Sequence, residues 1–177
     1  MKKIFLALIL VLVFTVTACS NSNEANKEGS DMDELNLQLQ KEDEEAGETI
    51  EDNEIYSGID ELIESDSSIG IQDDFSLYPF DIAVHEDGSE SMIFLAINRL
   101  NDPIKDMSFE LTFGKQDGDY IFDGTEVFMA EEQFGVLEPN GVVPVLLEIT
   151  PEEGEIYEGL TQDNVDLEID NFDMDVE

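Results

Sequence analysis

His85 is the one histidine of this 177-residue chain, and so the only imidazole able to act as a general base. Its nucleophile would have to be a serine, and the nearest in sequence are Ser76, Ser89 and Ser91. None of the three lies in a G-x-S-x-G sequence, the turn that exposes the nucleophile of many hydrolases. The sequence HEDGSE instead predicts a hairpin turn at His85. We therefore predict that the chain has no catalytic residue and is not an enzyme.

Aspartates in two loops offer a second chemistry, because Ca²⁺ binds six to eight oxygen ligands. The candidate ligands are Asp117, Asp119 and the nearby Asp123 in one loop, and Asp73 and Asp74 in the other. Neither loop matches the EF-hand pattern, and aspartate is also a common turn residue. Calcium binding is therefore the alternative to turn formation at these positions, and the sequence suggests no other cofactor.

The charge balance excludes several classes of function. The chain has 45 acidic and 7 basic side chains, which give a formal net charge of −38. Nucleic-acid binding depends on lysines and arginines that displace counterions from phosphates, so a nucleic-acid partner is excluded. Cys19 is the only cysteine, which excludes an internal disulfide and a multi-cysteine zinc site.

The chain begins with MKKIFLALILVLVFTVTAC, a basic start followed by an apolar run over residues 4–18. That run is shorter than the roughly 20 apolar residues that a membrane-spanning helix needs. A basic start, a short apolar core and a small residue at the end are typical of secretory signal peptides. Residues 1–18 are therefore predicted to be a signal peptide.

The sequence Val16-Thr17-Ala18-Cys19 resembles the lipobox of bacterial lipoproteins, of the small Gram-positive surface type. The resemblance covers about the first twenty residues. It implies that Cys19 receives a diacylglyceryl group and becomes the mature N-terminus, so that acyl chains hold the protein in the membrane on its extracytoplasmic face. The alternative is an ordinary cleaved signal in which Cys19 has no role.

Two segments are predicted between the leader and the β region. Residues 19–54 are predicted to be the lipidated cysteine followed by a disordered acidic tether, since residues 20–54 contain 13 acidic, 2 basic and no aromatic residues. Residues 55–70 are predicted to be a short helix or linker. Their apolar residues recur at helical spacing: Ile55, Ile59, Leu62 and Ile63.

Residues 71–177 have the pattern of short β-strands and contain nine of the eleven phenylalanines. Residues 92–100 have few polar breaks, as in a central strand covered on both faces. Pro144 requires a strand edge or a bulge, and a slip of the apolar phase near Asp170-Asn171 predicts a bulge. About seven strands predict an all-β fold, an antiparallel β-sandwich.

Three sequences in residues 98–149 carry a second resemblance: a strand ending in NRLNDP, the strand IKDMSFELTF, and the proline-marked turn in GVLEPNGVVPVLLEI. They are similar to the Ig-like domains of small Gram-positive surface lipoproteins. The resemblance implies an Ig-like β-sandwich for residues 71–177 and transfers no catalytic residue.

Carboxylates line the last predicted strand, at Asp166, Glu168, Asp170, Asp173, Asp175 and Glu177. Such charges protect a strand edge from pairing, or form a surface for a cationic partner. The sequence as a whole predicts a lipid-anchored extracytoplasmic lipoprotein with a non-enzymatic interaction module for a protein or cell-wall polymer at the cell envelope. The alternative is a surface protein that binds divalent cations such as calcium.

Replacing Cys19 tests the anchor. Cys19→Ala is expected to release the protein into the medium or to stall its processing, because the only thiol that can accept lipid is lost. Membrane fractionation with immunoblotting measures the outcome, and Ser20→Ala, which keeps the cysteine, is the control. A Cys19→Ala chain that still fractionates with membranes would contradict lipidation at this residue.

Overall fold

Strands dominate the part of the chain that the computed structural model describes, residues 33–116 and 118–177. Strands account for 45% of these residues and helices for 21%, so the fold is mostly β. It is not all-β as predicted, because residues 71–177 also contain two short helices. The elements in chain order are β1 (Asn36–Leu37), α1 (Lys41–Ala46), α2 (Glu54–Ser65), β2 (Phe75–Val84), β3 (Glu90–Asn98), β4 (Ile104–Lys115), β5 (Tyr120–Met129), α3 (Glu131–Phe134), β6 (Gly141–Ile149), α4 (Pro151–Glu158) and β7 (Val165–Val176).

The strands form two sheets. The first sheet has the order β1-β6-β3-β2 and the second the order β5-β4-β7, and every pair is antiparallel except the short pair β1–β6. The predicted turn in HEDGSE is the β2–β3 hairpin. There the Gly88 N–H donates to the His85 carbonyl at 2.9 Å, and Gly88 has a φ of +84° that favours glycine.

The inner faces of the two sheets share one apolar core. The edge of the Phe94 ring in β3 meets the Phe113 ring in β4 with 5.1 Å between centroids, and Phe75 of β2 stacks on Phe172 of β7 at 4.7 Å. These contacts cross from one sheet to the other, so the sheets pack face to face. The arrangement is compatible with a β-sandwich.

Two irregularities occur where the sequence predicts them. β7 has one more residue than β4 between the pairs Ser108–Asp173 and Glu110–Asp170, which confirms the predicted bulge; Asn171 there has a φ of +52°. The Pro144 carbonyl accepts a hydrogen bond from the Gln40 side chain at 2.9 Å. The missing N–H of Pro144 therefore faces the outer edge of β6, where it removes no bond to β3.

A helix covers the other face of the first sheet, which makes β3 a central strand buried on both faces, as predicted. α2 begins after Asn53, whose side chain accepts the Ile55 N–H at 3.0 Å. It packs Ile59 and Ile63 against the apolar residues of β3 and β6: Leu95, Ile97 and Val142. In the described part of the chain, no helix is long and apolar enough to cross a membrane.

The prediction of a disordered tether over residues 19–54 is wrong for residues 35–46. Leu35 is buried in the cluster under α2, Asn36 and Leu37 pair with β6, and α1 follows. The prediction rested on the high charge of the segment and overlooked its few apolar residues. These residues dock onto the first sheet, and docking stabilises structure that the segment could not form alone. Cys19 and the predicted signal peptide lie outside the described residues.

Arg99, the only arginine of the chain, fastens this N-terminal segment to the sheet. It follows β3 and is 6% exposed. One guanidinium nitrogen donates to the Asp33 carbonyl at 2.6 Å and to Asn140 Oδ1 at 3.2 Å. The other donates to the carbonyls of Ser67 at 2.6 Å and Ile69 at 3.2 Å. Burial lowers the pKa of Arg99, and these four acceptors stabilise the charged form in place of water.

Replacing Arg99 is expected to destabilise the domain. Arg99→Lys keeps the charge but cannot present the planar fork, so we expect a loss of about 2–4 kcal/mol in the free energy of unfolding. Urea unfolding of the full chain in detergent measures this loss. Lys115→Met, which removes an exposed positive charge, is the control and should change stability by less than about 0.5 kcal/mol. Equal urea midpoints for the two variants would contradict a structural role for Arg99.

Candidate functional site

The outer face of the second sheet carries the most distinctive surface of the described residues. Strand alternation directs Met107, Phe109 and Leu111 of β4 into the core, so Ser108 and Glu110 point outward. On β5 the same alternation buries Val127 and Met129 and exposes Glu126 and Phe128. Phe128 is 65% exposed, the most exposed aromatic side chain in the described chain.

Three carboxylates form a row across this face. Glu110 of β4 lies opposite Glu126 of β5 on one side and opposite Asp170 of β7 on the other. Like charges at directly opposed positions destabilise a sheet. The ion pair found among the described residues joins Lys105 and Glu131 at 3.1 Å and includes no member of the row. In residues 33–116 and 118–177, therefore, no lysine or arginine forms an ion pair with the row.

A depression of about 320 Å³ opens on this row. Its rim includes Glu110, Glu126, Phe128, Ser108 and Asn171, the last at the bulge of β7. We call these five residues together with Asp170 the acidic face. Carboxylates attract a positive charge, and the exposed ring of Phe128 favours a cation over its surface by about 0.5–1 kcal/mol. The acidic face can therefore bind a lysine-like or arginine-like group, with the carboxylates as acceptors.

A tyrosine lies toward one end of the same sheet. The Tyr120 hydroxyl donates to Asp166 Oδ2 at 3.2 Å. Desolvation and this hydrogen bond raise the pKa of Tyr120, and the carboxylates of Asp123 and Glu168 raise it further. The phenol therefore stays protonated at neutral pH, and its one O–H donates to Asp166.

The aspartates predicted as calcium ligands have backbone roles where the structure describes them. Asp74 Oδ1 accepts the Phe75 N–H at 2.8 Å, and Asp73 has a left-handed φ of +59° in the same loop. Asp119 lies in the β4–β5 turn, where its carbonyl accepts the Lys115 N–H, and Asp123 lies in β5. Asp117 lies outside the described residues. No three acidic, histidine or cysteine residues of the described chain converge to hold a metal ion, and calcium binding stays a prediction.

The structure brings His85 next to one of its three candidate nucleophiles. His85 Nε2 and Ser91 Oγ are 2.9 Å apart, and Ser91 is only 3% exposed. Ser76 Oγ accepts the Ile71 N–H, and Ser89 Oγ donates to Asp87, whose pKa the two Ser89 hydrogen bonds lower. Among the described residues, no carboxylate hydrogen-bonds the other ring nitrogen of His85, so the orienting acid of a triad is missing there.

Comparison with known proteins finds no matching family model, no matching curated sequence and no matching solved structure. Function has to be inferred from the geometry of this chain.

Sequence reasoning singled out the acids of the last strand but missed Phe128, Glu110 and Glu126 as members of a site. Their assembly depends on the register between β4 and β5. A bulge at Asp123-Gly124 shifts this register, and from the sequence those two residues predict either a bulge or a second turn. One signal was available. In the apolar triplet 127–129 of a strand, the middle residue must face away from its two neighbours, and that residue is Phe128.

Removing one charge from the row should stabilise the domain. Glu110→Gln is expected to raise the free energy of unfolding by about 0.5 kcal/mol at about 0.05 M NaCl and by much less at about 1 M, because salt screens the repulsion. Urea unfolding at both salt concentrations measures this difference. Glu148→Gln, on an exposed site of the first sheet, is the control for reduced net charge. If Glu110→Gln changes the free energy of unfolding no more than the control does, repulsion is not concentrated in the row.

Proposed function

We propose that this chain is a lipid-anchored extracytoplasmic protein whose β domain is a non-enzymatic interaction module for a cationic group on a partner at the cell envelope. The observation that carries the proposal is the acidic face. There an exposed aromatic ring lies beside Glu110 and Glu126, Asp170 extends the row of carboxylates across the sheet, and no basic side chain of the described chain pairs with the row. Exposed apolar surface rimmed by polar residues is typical of interaction sites.

Binding would relieve a strain that the free domain carries. A positive group placed among Glu110, Glu126 and Asp170 replaces mutual repulsion by attraction, and Phe128 loses exposed apolar surface. At about 0.15 M salt the screening length is about 8 Å, so the face selects partners at close range rather than steering them from afar.

The leader supports the proposed location. A basic start, a short apolar run and the sequence Val16-Thr17-Ala18-Cys19 occur together, and Cys19 is the only cysteine. Two acyl chains on this residue would suffice for stable attachment to a membrane.

The strand order supports the finer proposal of an Ig-like β-sandwich. In Ig domains strands A, B and E are neighbours in one sheet and strands C and F in the other. Here β2, β3 and β6 have the connections and antiparallel pairing of A, B and E, and β4 and β7 those of C and F. Such domains commonly act as interaction modules.

The proposal of a non-enzymatic role is supported by the surroundings of His85. Ser91, the serine within hydrogen-bond distance of His85, is almost completely buried in β3 and presents no open approach to a substrate. A nucleophile needs access to the reacting carbon as well as a base.

A fluorescent oligolysine peptide tests the acidic face. The full chain in detergent is expected to bind it, and Glu110→Gln with Glu126→Gln should weaken binding about tenfold, because the two acceptors nearest Phe128 are lost. Fluorescence anisotropy at about 0.05 M NaCl measures the affinity. The control pair, Glu148→Gln with Glu152→Gln, removes the same charge from exposed sites away from the second sheet. Equal weakening by both pairs would contradict a specific site.

Melting temperatures of the same protein distinguish calcium binding from general screening of its charge. A melting temperature that rises more with CaCl₂ than with NaCl at matched ionic strength indicates a cation bound to the folded state, since such a ligand stabilises only that state. Equal rises indicate general screening of charge.

A further inference from the structure

The long strand β7 has one free edge. In the part of the chain that the structure describes, β7 pairs only with β4, although it runs for 12 residues from Val165 to Val176. Along a free edge every second residue presents an unpaired N–H and C=O outward. The pairing with β4 is regular from Val165 to Asp170 and irregular beyond, so residues 165–170 form the straightest part of this edge.

The inward face of β7 is incompletely covered. Leu167, Ile169 and Phe172 contact the core but are only half-buried, and Val176 is 53% exposed. Across the ladder in β4, Leu111 and Phe113 are fully buried. The core is therefore closed at β4 and open at β7.

A depression of about 480 Å³ lies at this open side, next to the start of β7. It is bounded by β2, the end of α4, the loop after α4 and the start of β7. Its apolar lining is Pro79, Phe113, Tyr157, Leu160 and Val165, and its polar lining is Glu158, Thr161 and Gln162. An apolar side chain from a strand added beside β7 would enter this space. Covering these residues would complete the core on that side.

In the proposed Ig-like strand order, the place beside the free edge of β7 would hold a further strand. In an Ig domain strand G lies beside strand F, on the side away from strand C. β4 and β7 correspond to C and F, and no strand of the described chain occupies the place beside β7. Three features therefore coincide on one edge: free backbone groups, a half-covered apolar row and an absent neighbour.

The charge along β7 determines which kind of strand can pair with its free edge. The outward residues Asp166, Glu168 and Asp170 line the regular part of the edge, and Tyr120 and Thr112 beside them add no positive charge. A second copy of β7 would place carboxylates opposite carboxylates, which is unfavourable. A strand in which Lys or Arg alternates with apolar residues would place its basic side chains beside the carboxylates of β7 and its apolar side chains beside the half-buried inward residues of β7.

We propose that β7 accepts a basic amphipathic segment of a partner protein as an added β-strand along residues 165–170. This inference rests on the proposed function and names its partner class: an extended peptide whose basic side chains lie beside Asp166, Glu168 and Asp170, the last of them a member of the acidic face, while its apolar side chains enter the depression beside Val165. Backbone hydrogen bonds to the edge supply affinity, and the alternating side chains supply specificity.

Labelled eight-residue peptides test this mode with the full chain in detergent. A peptide alternating Lys and Val is expected to bind about tenfold more tightly than a peptide of the same composition with its lysines in one block. Methylating every second backbone nitrogen of the alternating peptide gives two variants. The variant whose methyl groups face β7 should lose the tenfold advantage in affinity and the other should keep it, since only one edge of the peptide faces β7. Anisotropy gives the affinities, and hydrogen exchange should show protection at residues 165–170.

A charge reversal provides the matched comparison. Glu168→Lys should weaken binding of the alternating peptide at least tenfold, and Glu148→Lys, also at an exposed site but on the first sheet, should weaken it less than threefold. Circular dichroism shows that both variants are folded.

Each other outcome overturns a different statement. If the alternating and block peptides bind equally and neither methylation register matters, strand addition is wrong while recognition of cations by the acidic face stands. If no cationic peptide binds, the proposed function fails as well. If the chain dimerises through β7 without peptide, the occupant is a second copy and the basic partner is wrong.

Discussion

The guanidinium of Arg99 is the contact on which the N-terminal side of this domain depends. It lies where β3 ends, almost completely buried, and its four acceptors come from three separate segments: the chain before β1, the loop after α2 and the turn before β6. Lysine offers no equivalent, because its single ammonium cannot reach four acceptors in one plane. In a chain of net charge −38 with one arginine, that residue is committed to holding backbone carbonyls rather than surface carboxylates.

Two sets of acidic residues differ in their surroundings. Several aspartates are satisfied locally: Ser68 lowers the pKa of Asp66, Ser89 lowers that of Asp87, and Asp74 accepts the Phe75 N–H. The row of Glu110, Glu126 and Asp170 has no such donor among the described side chains, yet it occupies the middle of a sheet rather than a loop. Local turn aspartates stabilise the fold, whereas the row leaves acceptor capacity for a group from outside.

Features set by local chemistry could be predicted from the sequence. The Asp87-Gly88 turn, the outward position of Pro144, the bulge at Asn171 and the burial of β3 each follow from a few neighbouring residues. Features set by distant pairing could not. The docking of Leu35 needs a sheet edge formed about a hundred residues later. The acidic face needs the β4–β5 register, and its own segment indicates only that Phe128 faces outward.

The attachment of Asp33 to Arg99 also has a mechanical consequence. Within the described chain, tension applied at Asp33 acts first on its carbonyl and then on the two-residue strand β1. Because Arg99 directly follows the buried strand β3, the pull passes into the centre of the first sheet instead of peeling α1 and α2 from its surface. A domain held at one end above a membrane would thus resist drag on its outer end through its most deeply buried strand.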